Sequence, residues 1–122
     1  MNERPLKKLC ILLLFFYAFA GCSQHRSKPI NQVSQKELKG GILVDVRTPE
    51  EYAAGHLEEA LNVNLFREDF VRVADTLPKD KTIYLYCQKG GRSARAAQIL
   101  DSLGYRVVDL LGGYETWITP RQ

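Results

Sequence analysis

TIYLYCQKGGRS, residues 82–93, is the stretch on which the fold turns. Thr82 to Tyr86 is apolar on both faces and rich in residues that favour extended backbone, as in a strand covered on both sides. The strand runs straight into Cys87. Beyond the loop, Ser93 to Leu103 sets Ala96, Ile99, Leu100 and Leu103 on one helical face, and Gly104 supplies the stop. A buried strand passing through a glycine turn into an amphipathic helix predicts an α/β fold. In open sheets of that class, ligands bind at the carboxyl ends of the strands, here at Cys87.

The same alternation extends in both directions. Ser34 with Glu37 fits a capping box for a short helix that ends at Gly40-Gly41. Ile42 to Val46 (ILVDV) is a short β-branched run suited to a buried strand. Thr48-Pro49-Glu50-Glu51 supplies an N-cap, a proline in the first turn and a glutamate at the third position, and Gly55 stops that helix. Ala60 to Leu65 predicts a strand, Glu68 to Leu77 a helix stopped by Pro78, Arg106 to Leu111 a strand, and Tyr114 to Thr119 a closing helical turn. Short buried strands alternating with helices predict a mainly parallel sheet covered on both sides.

The loop Cys87-Gln88-Lys89-Gly90-Gly91-Arg92-Ser93 carries the chemistry. Paired glycines let successive backbone N–H groups converge. With the positive end of the following helix, such a nest stabilises an anion, so the sulfur is expected to react as a thiolate. Lys81, Lys89, Arg92 and Arg95 are the charged residues between positions 81 and 100, and none is acidic. Lys89 and Arg92, inside the loop, are expected to meet an anionic ligand. Arg95 sits in the first helical turn, where the helix dipole disfavours a cation unless an anion offsets it. Asp45 and Arg47 close the neighbouring strand and are expected to brace the loop rather than transfer protons. His56 is expected to cap or brace, Tyr114 and Trp117 to close the core, and Glu50, Glu51, Glu58 and Glu59 to face solvent.

Four residues separate Cys87 from Arg92, whereas cysteine-dependent phosphatases use five, a loop wide enough for a tetrahedral phosphate. This C-x4-R loop resembles that of the single-domain rhodanese sulfurtransferases. Residues 43–56 (LVDVRTPEEYAAGH) look like that family's first signature, and Leu110-Leu111-Gly112-Gly113 with Trp117 looks like its last. The likeness covers about residues 33–118; Glu59 stands where the family often has glycine, and Asn64 where proline is common. The resemblance implies a central five-stranded, mainly parallel sheet flanked by helices. It implies a Cys87 persulfide held by Gln88, Lys89, Gly90, Gly91, Arg92 and Ser93, with Asp45 and Arg47 as scaffolding. Sulfane sulfur would pass from a small anionic donor such as thiosulfate, steered by Lys89, Arg92 and Arg95, to a thiol, protein or cyanide acceptor, with no cofactor. The rival readings are a persulfide carrier that works only with a partner protein, and an arsenate or phosphate-ester enzyme.

Ahead of this domain, Arg4, Lys7 and Lys8 precede an apolar run of twelve residues, Leu9 to Ala20. A membrane-spanning helix needs about 20, so the run reads as the core of a signal peptide, residues 1–21. Phe19-Ala20-Gly21-Cys22 resembles the bacterial lipobox, which implies lipidation of Cys22 and attachment to the cell envelope, in the periplasm or at the outer membrane. Polar residues 22–32 read as a tether and 33–122 as the domain. Removing residues 1–21 takes Cys10 and leaves the remainder of the 122 residues at a net charge of about +1, which excludes a strongly basic nucleic-acid surface. With Cys22 lipidated, Cys87 is a lone thiol with no disulfide to serve, and one histidine with one cysteine makes no metal site. A monomer is expected.

Overall fold

The computed structural model describes residues 25–120. Their order is β1 (Arg26–Pro29), a 3-10 turn (Ile30–Gln32), α1 (Gln35–Lys39), β2 (Ile42–Asp45), α2 (Pro49–Ala54), β3 (Leu61–Asn62), α3 (Phe70–Ala74), β4 (Ile83–Tyr86), α4 (Gly91–Ser102), β5 (Val107–Leu111) and α5 (Gly113–Ile118). The strands form one five-stranded sheet in the order β1-β5-β4-β2-β3, and every neighbouring pair is parallel. β4 is therefore the central strand, and the chain leaves it at Cys87. Among the described residues no helix is long and apolar enough to cross a membrane.

Strand side chains alternate between two covered faces, as the two-residue period of extended backbone requires. Val44, Ile83, Leu85, Cys87 and Val107 pack on one face with Phe70, Ala74, Ala96, Ala97 and Leu100, beneath α3 and α4. Leu43, Tyr86 and Leu110 pack on the other with Ile30, Val33, Leu38, Leu57 and Ala60, where Tyr52, Tyr114 and Trp117 add partly buried cover. The core is thus split by the sheet, and Cys87 belongs to the α4 side.

Both capping boxes form. Ser34 and Glu37 exchange side-chain and backbone hydrogen bonds at the start of α1, and Thr48 and Glu51 do so at the start of α2. The strand expected over 60–65 pairs regularly only at Leu61–Asn62. Past Asn62 the Val63 and Leu65 N–H groups still donate to the Asp45 and Val46 carbonyls, at 2.9 and 3.0 Å, and the Asn62 amide adds bonds to the carbonyls of Asp45 and Arg47. Glu59, where glycine is common in the family it resembles, has φ 64°, a left-handed backbone that costs a side chain about 1–2 kcal/mol.

The reading of residues 22–32 as a tether is overturned from Arg26 onward. Residues 26–29 pair in register with Val108 to Leu111, and Ile30 is fully buried. The segment is polar because it is an edge strand with mostly exposed side chains, so its composition mimics a linker while its backbone completes the sheet. The signal-peptide and Cys22 readings lie outside the described residues.

Candidate active site

Cys87 is 1% exposed and sits one residue past the end of β4, flanked by β2 and β5. Its Sγ accepts from the Gly90 N–H at 3.0 Å and donates to Ser93 Oγ at 3.5 Å; Ser93 in turn donates to the Gly90 carbonyl at 3.1 Å. This curl needs φ 131° at Gly90, a backbone that L side chains rarely adopt. Gly91 opens α4, so the sulfur lies at the amino end of a twelve-residue helix. Cys87, Gln88, Lys89, Gly91 and Arg92 line an open depression over the thiol. A somewhat larger cavity at the opposite end of the sheet, lined by His25, Arg26, Asp101, Tyr105 and Arg106 among others, has no cysteine in its lining.

The loop is held from beneath by α5. Tyr114 N donates to the Cys87 carbonyl at 2.8 Å and Glu115 N to the Gln88 carbonyl at 3.1 Å. Across the same planar peptides, the N–H groups of Gln88 and Lys89 point away from α5. The approach is so close that a Cβ on Gly113, at φ 65°, would lie 2.5 Å from the Gln88 oxygen and 2.6 Å from the Cys87 oxygen. The Gly112-Gly113 pair was legible as a motif, but its contact with the cysteine loop was not.

Asp45 and Arg47 form a buried ion pair that ties three segments together. Arg47 Nη2 and Nε reach Asp45 Oδ2 at 2.7 Å and Oδ1 at 3.0 Å, Nη1 donates to Gln88 Oε1 at 3.0 Å, and Nη2 also donates to the Gly55 carbonyl at 2.6 Å. The guanidinium lies 4.3 Å from the centroid of the Tyr114 ring. Tyr86 donates to Asp45 at 2.7 Å; burial first, and then that carboxylate, push its phenol well above the ordinary range. His56 stacks on Tyr52 at 3.7 Å, with Nδ1 2.9 Å from the Tyr52 carbonyl, so it is engaged at the end of α2 rather than at the thiol.

Arg92 does not stand free in the loop. Its Nη1 and Nη2 donate to Glu51 Oε2 at 2.6 Å and Oε1 at 2.9 Å. Glu51, expected in solvent, is instead shared between Arg92 and the Thr48 cap, and the Arg92 guanidinium first, with Thr48, holds its carboxyl down at about 2. Lys89 and Arg95 are exposed and pair with no described residue; Arg95 lies on the outer face of α4. Asp109 is a buried carboxyl that sequence reasoning passed over. It is 2% exposed on β5, opposite Leu85 and on the Cys87 side of the sheet, and its Oδ1 has no hydrogen-bond partner. Among the described residues no cluster of histidine, cysteine or carboxylate side chains could hold a metal.

Known proteins resemble this chain over most of the described residues. The model of the rhodanese-like domain matches residues 30–119. Thiosulfate sulfurtransferase GlpE of Pseudomonas fluorescens SBW25 is 35% identical over 99 residues, covering 80% of this chain and 88% of that one. Thiosulfate sulfurtransferase PspE of Escherichia coli K12 is 37% identical over 79 residues, 64% of this chain and 75% of its own. The crystal structure of a rhodanese-related protein from Thermoplasma volcanium superposes with a TM-score of 0.69 at 30% identity, over 77% of this chain and 91% of that one. With the family match spanning the sheet from the turn after β1 to the end of α5, and the cysteine loop at its centre, the chain belongs to the family of the rhodanese-like domain.

Proposed function

We propose that this protein is a sulfurtransferase that carries sulfane sulfur as a persulfide on Cys87. The observation that carries the reading is the sulfur itself: buried, at the carboxyl end of the central strand, and already accepting a backbone N–H from its own loop at 3.0 Å. A loop that already turns a backbone N–H onto one sulfur suits a second sulfur bearing the negative charge. The Cys87 thiolate attacks the outer sulfur of an anionic donor such as thiosulfate; the new S–S bond forms as the donor S–S bond breaks, and the remainder of the donor, sulfite in the case of thiosulfate, leaves with the electron pair. A thiol or cyanide then attacks the outer sulfur of the persulfide, takes it, and returns the thiolate. Sulfurtransferase relatives and the four-residue spacing to Arg92 support this chemistry over phosphate-ester hydrolysis.

The test is intact-mass analysis of protein exposed to thiosulfate without reductant, together with steady-state thiosulfate:cyanide transfer. One extra sulfur should map to Cys87, and Cys87→Ser should lose both the added mass and turnover while keeping its circular dichroism. Transfer by Cys87→Ser at the parent rate would sink the reading.

The place of action proposed here is the bacterial cell envelope, through a lipid on Cys22; the lipobox-like Phe19-Ala20-Gly21-Cys22 is its support. Since β1 begins at Arg26, only residues 23–25 would separate the anchor from the domain, about 10 Å at full extension. The domain would then sit close to the bilayer, with the Cys87 end of the parallel sheet opposite the end at which the anchor enters. Labelled fatty acid should enter the parent chain and not Cys22→Ala; a parent chain that takes up none has no such anchor.

A further inference from the structure

Arg92 is the cation that the loop places beside the reactive sulfur, yet both of its terminal nitrogens are taken by one carboxylate. Glu51 is not there by accident of a mobile side chain. Its Oε2 also accepts from Thr48 N at 3.0 Å and Thr48 Oγ1 at 3.2 Å, so the first turn of α2 holds the carboxylate in place independently of Arg92. The pair is partly shielded, with side-chain exposures of 23% and 34%. Phe66, 67% exposed, lies against the guanidinium with its centroid 5.8 Å from Cζ. The carboxyl is held at about 2, so the charge persists through the whole working pH range. The mouth of the depression is therefore walled on one side by a neutralised arginine and an apolar ring, and Lys89 is the cation among its lining residues left without a described partner.

We propose that Glu51 is a specificity-determining residue: by cancelling Arg92 at the mouth of the Cys87 site, it turns the site away from dianionic sulfur donors and toward monoanionic donors that carry an organic group. The inference rests on the sulfur-transfer reading. A dianion feels a change in site charge twice as strongly as a monoanion, so charge at positions 51 and 92 sets the ratio of the two rates. A purely mechanical clamp between α2 and α4 would affect both donors alike.

Thiosulfate and benzenethiosulfonate separate these cases, because each gives up its outer sulfur to the thiolate while the leaving group, sulfite or benzenesulfinate, departs with the electron pair. The readout is the ratio of kcat/KM for thiosulfate to that for benzenethiosulfonate, with KM and kcat resolved for each. Glu51→Gln, which keeps a hydrogen-bonding group for the Thr48 cap, should raise the ratio about three- to tenfold at low ionic strength, mostly through KM for thiosulfate, and added salt should erode the gain. Arg92→Met should lower the ratio by a similar factor, and the double variant should return close to the parent. A ratio that stays within about twofold of the parent in both single variants overturns the proposal, whatever the absolute rates do. Cys87 that takes up sulfur from neither donor in the parent protein overturns the sulfur-transfer reading and this inference with it; uptake with an unmoved ratio overturns the role of Glu51 alone.

Discussion

Asp109 is a carboxyl shut away from water, with Oδ1 lacking any partner, one strand over from the reactive cysteine. Burial pushes it up from the ordinary aspartate range, while the Ser93 hydroxyl and His25 pull the other way. A carboxyl that titrates higher folded than unfolded costs stability as pH rises from the unfolded aspartate range through the folded value. Asp109→Asn removes that loss. It should be close to neutral in acid and stabilising by about 1–3 kcal/mol at pH 7, read as the difference in urea midpoints along a pH series. An equal effect at every pH would mean that the carboxyl titrates alike in the folded and unfolded chains. The position could not be read from VVDLL, where one aspartate in a β-branched run suggests a solvent-facing residue. Cys87 was legible because strand, glycines and helix are contiguous around it. The partner of Arg92 was not, because Glu51 lies 41 positions away and its own neighbourhood advertises only a helix cap.

Single elements place that chemistry, and the shortest of them matters most. α5 has six residues, too few to be stable by itself, and its second and third backbone N–H groups, of Tyr114 and Glu115, hold the Cys87 and Gln88 carbonyls. Gly113→Ala would meet both oxygens at 2.5–2.6 Å and in addition force a side chain into the left-handed region, about 1–2 kcal/mol for the backbone alone. The expected result is a lowered melting temperature together with a loss of sulfur transfer larger than the fraction unfolded explains, because the loop must shift to make room. Gly104→Ala provides the comparison: its φ is 91° but open space surrounds it, so it should lose stability and keep the rate per folded molecule. Equal specific activity in the two variants would show that α5 does not set the loop. Helix starts were the most legible elements, since Ser34/Glu37 and Thr48/Glu51 are local patterns with a local cause. β3 was overextended: past Asn62 the chain keeps only separate bonds to the neighbouring segment, from the Val63 and Leu65 backbone and the Asn62 amide, and not a regular pairing.

At the scale of the molecule, all neighbouring strands run parallel, so no hairpin can supply an edge and each side of the sheet has to be finished by a separate segment. Sequence alternation counted four strands and the family resemblance implied five; the fifth is β1, hidden in a stretch with the composition of a linker. Its worth is testable. Parallel pairing with Val108 to Leu111 covers what would otherwise be the open edge of β5, Lys28 reaches Glu37 at 2.7 Å, and Ile30 fills the core face that α5 closes. Removing the isoleucine side chain alone should cost about 2–5 kcal/mol in Ile30→Ala. A chain beginning at Val33 loses that contact and the ladder together, and it exposes a strand edge that invites association. Compared with a chain beginning at His25, it should unfold at markedly lower urea and scatter light at concentrations where the longer chain stays clear. Ile30→Ala should fall between them. Coincident unfolding curves for the two chains would show that β1 is dispensable and that the linker reading of residues 26–32 was correct in energy if not in geometry. A separation of several kcal/mol would instead make the edge strand part of the folding unit, and would pin the domain within a few residues of any anchor at Cys22.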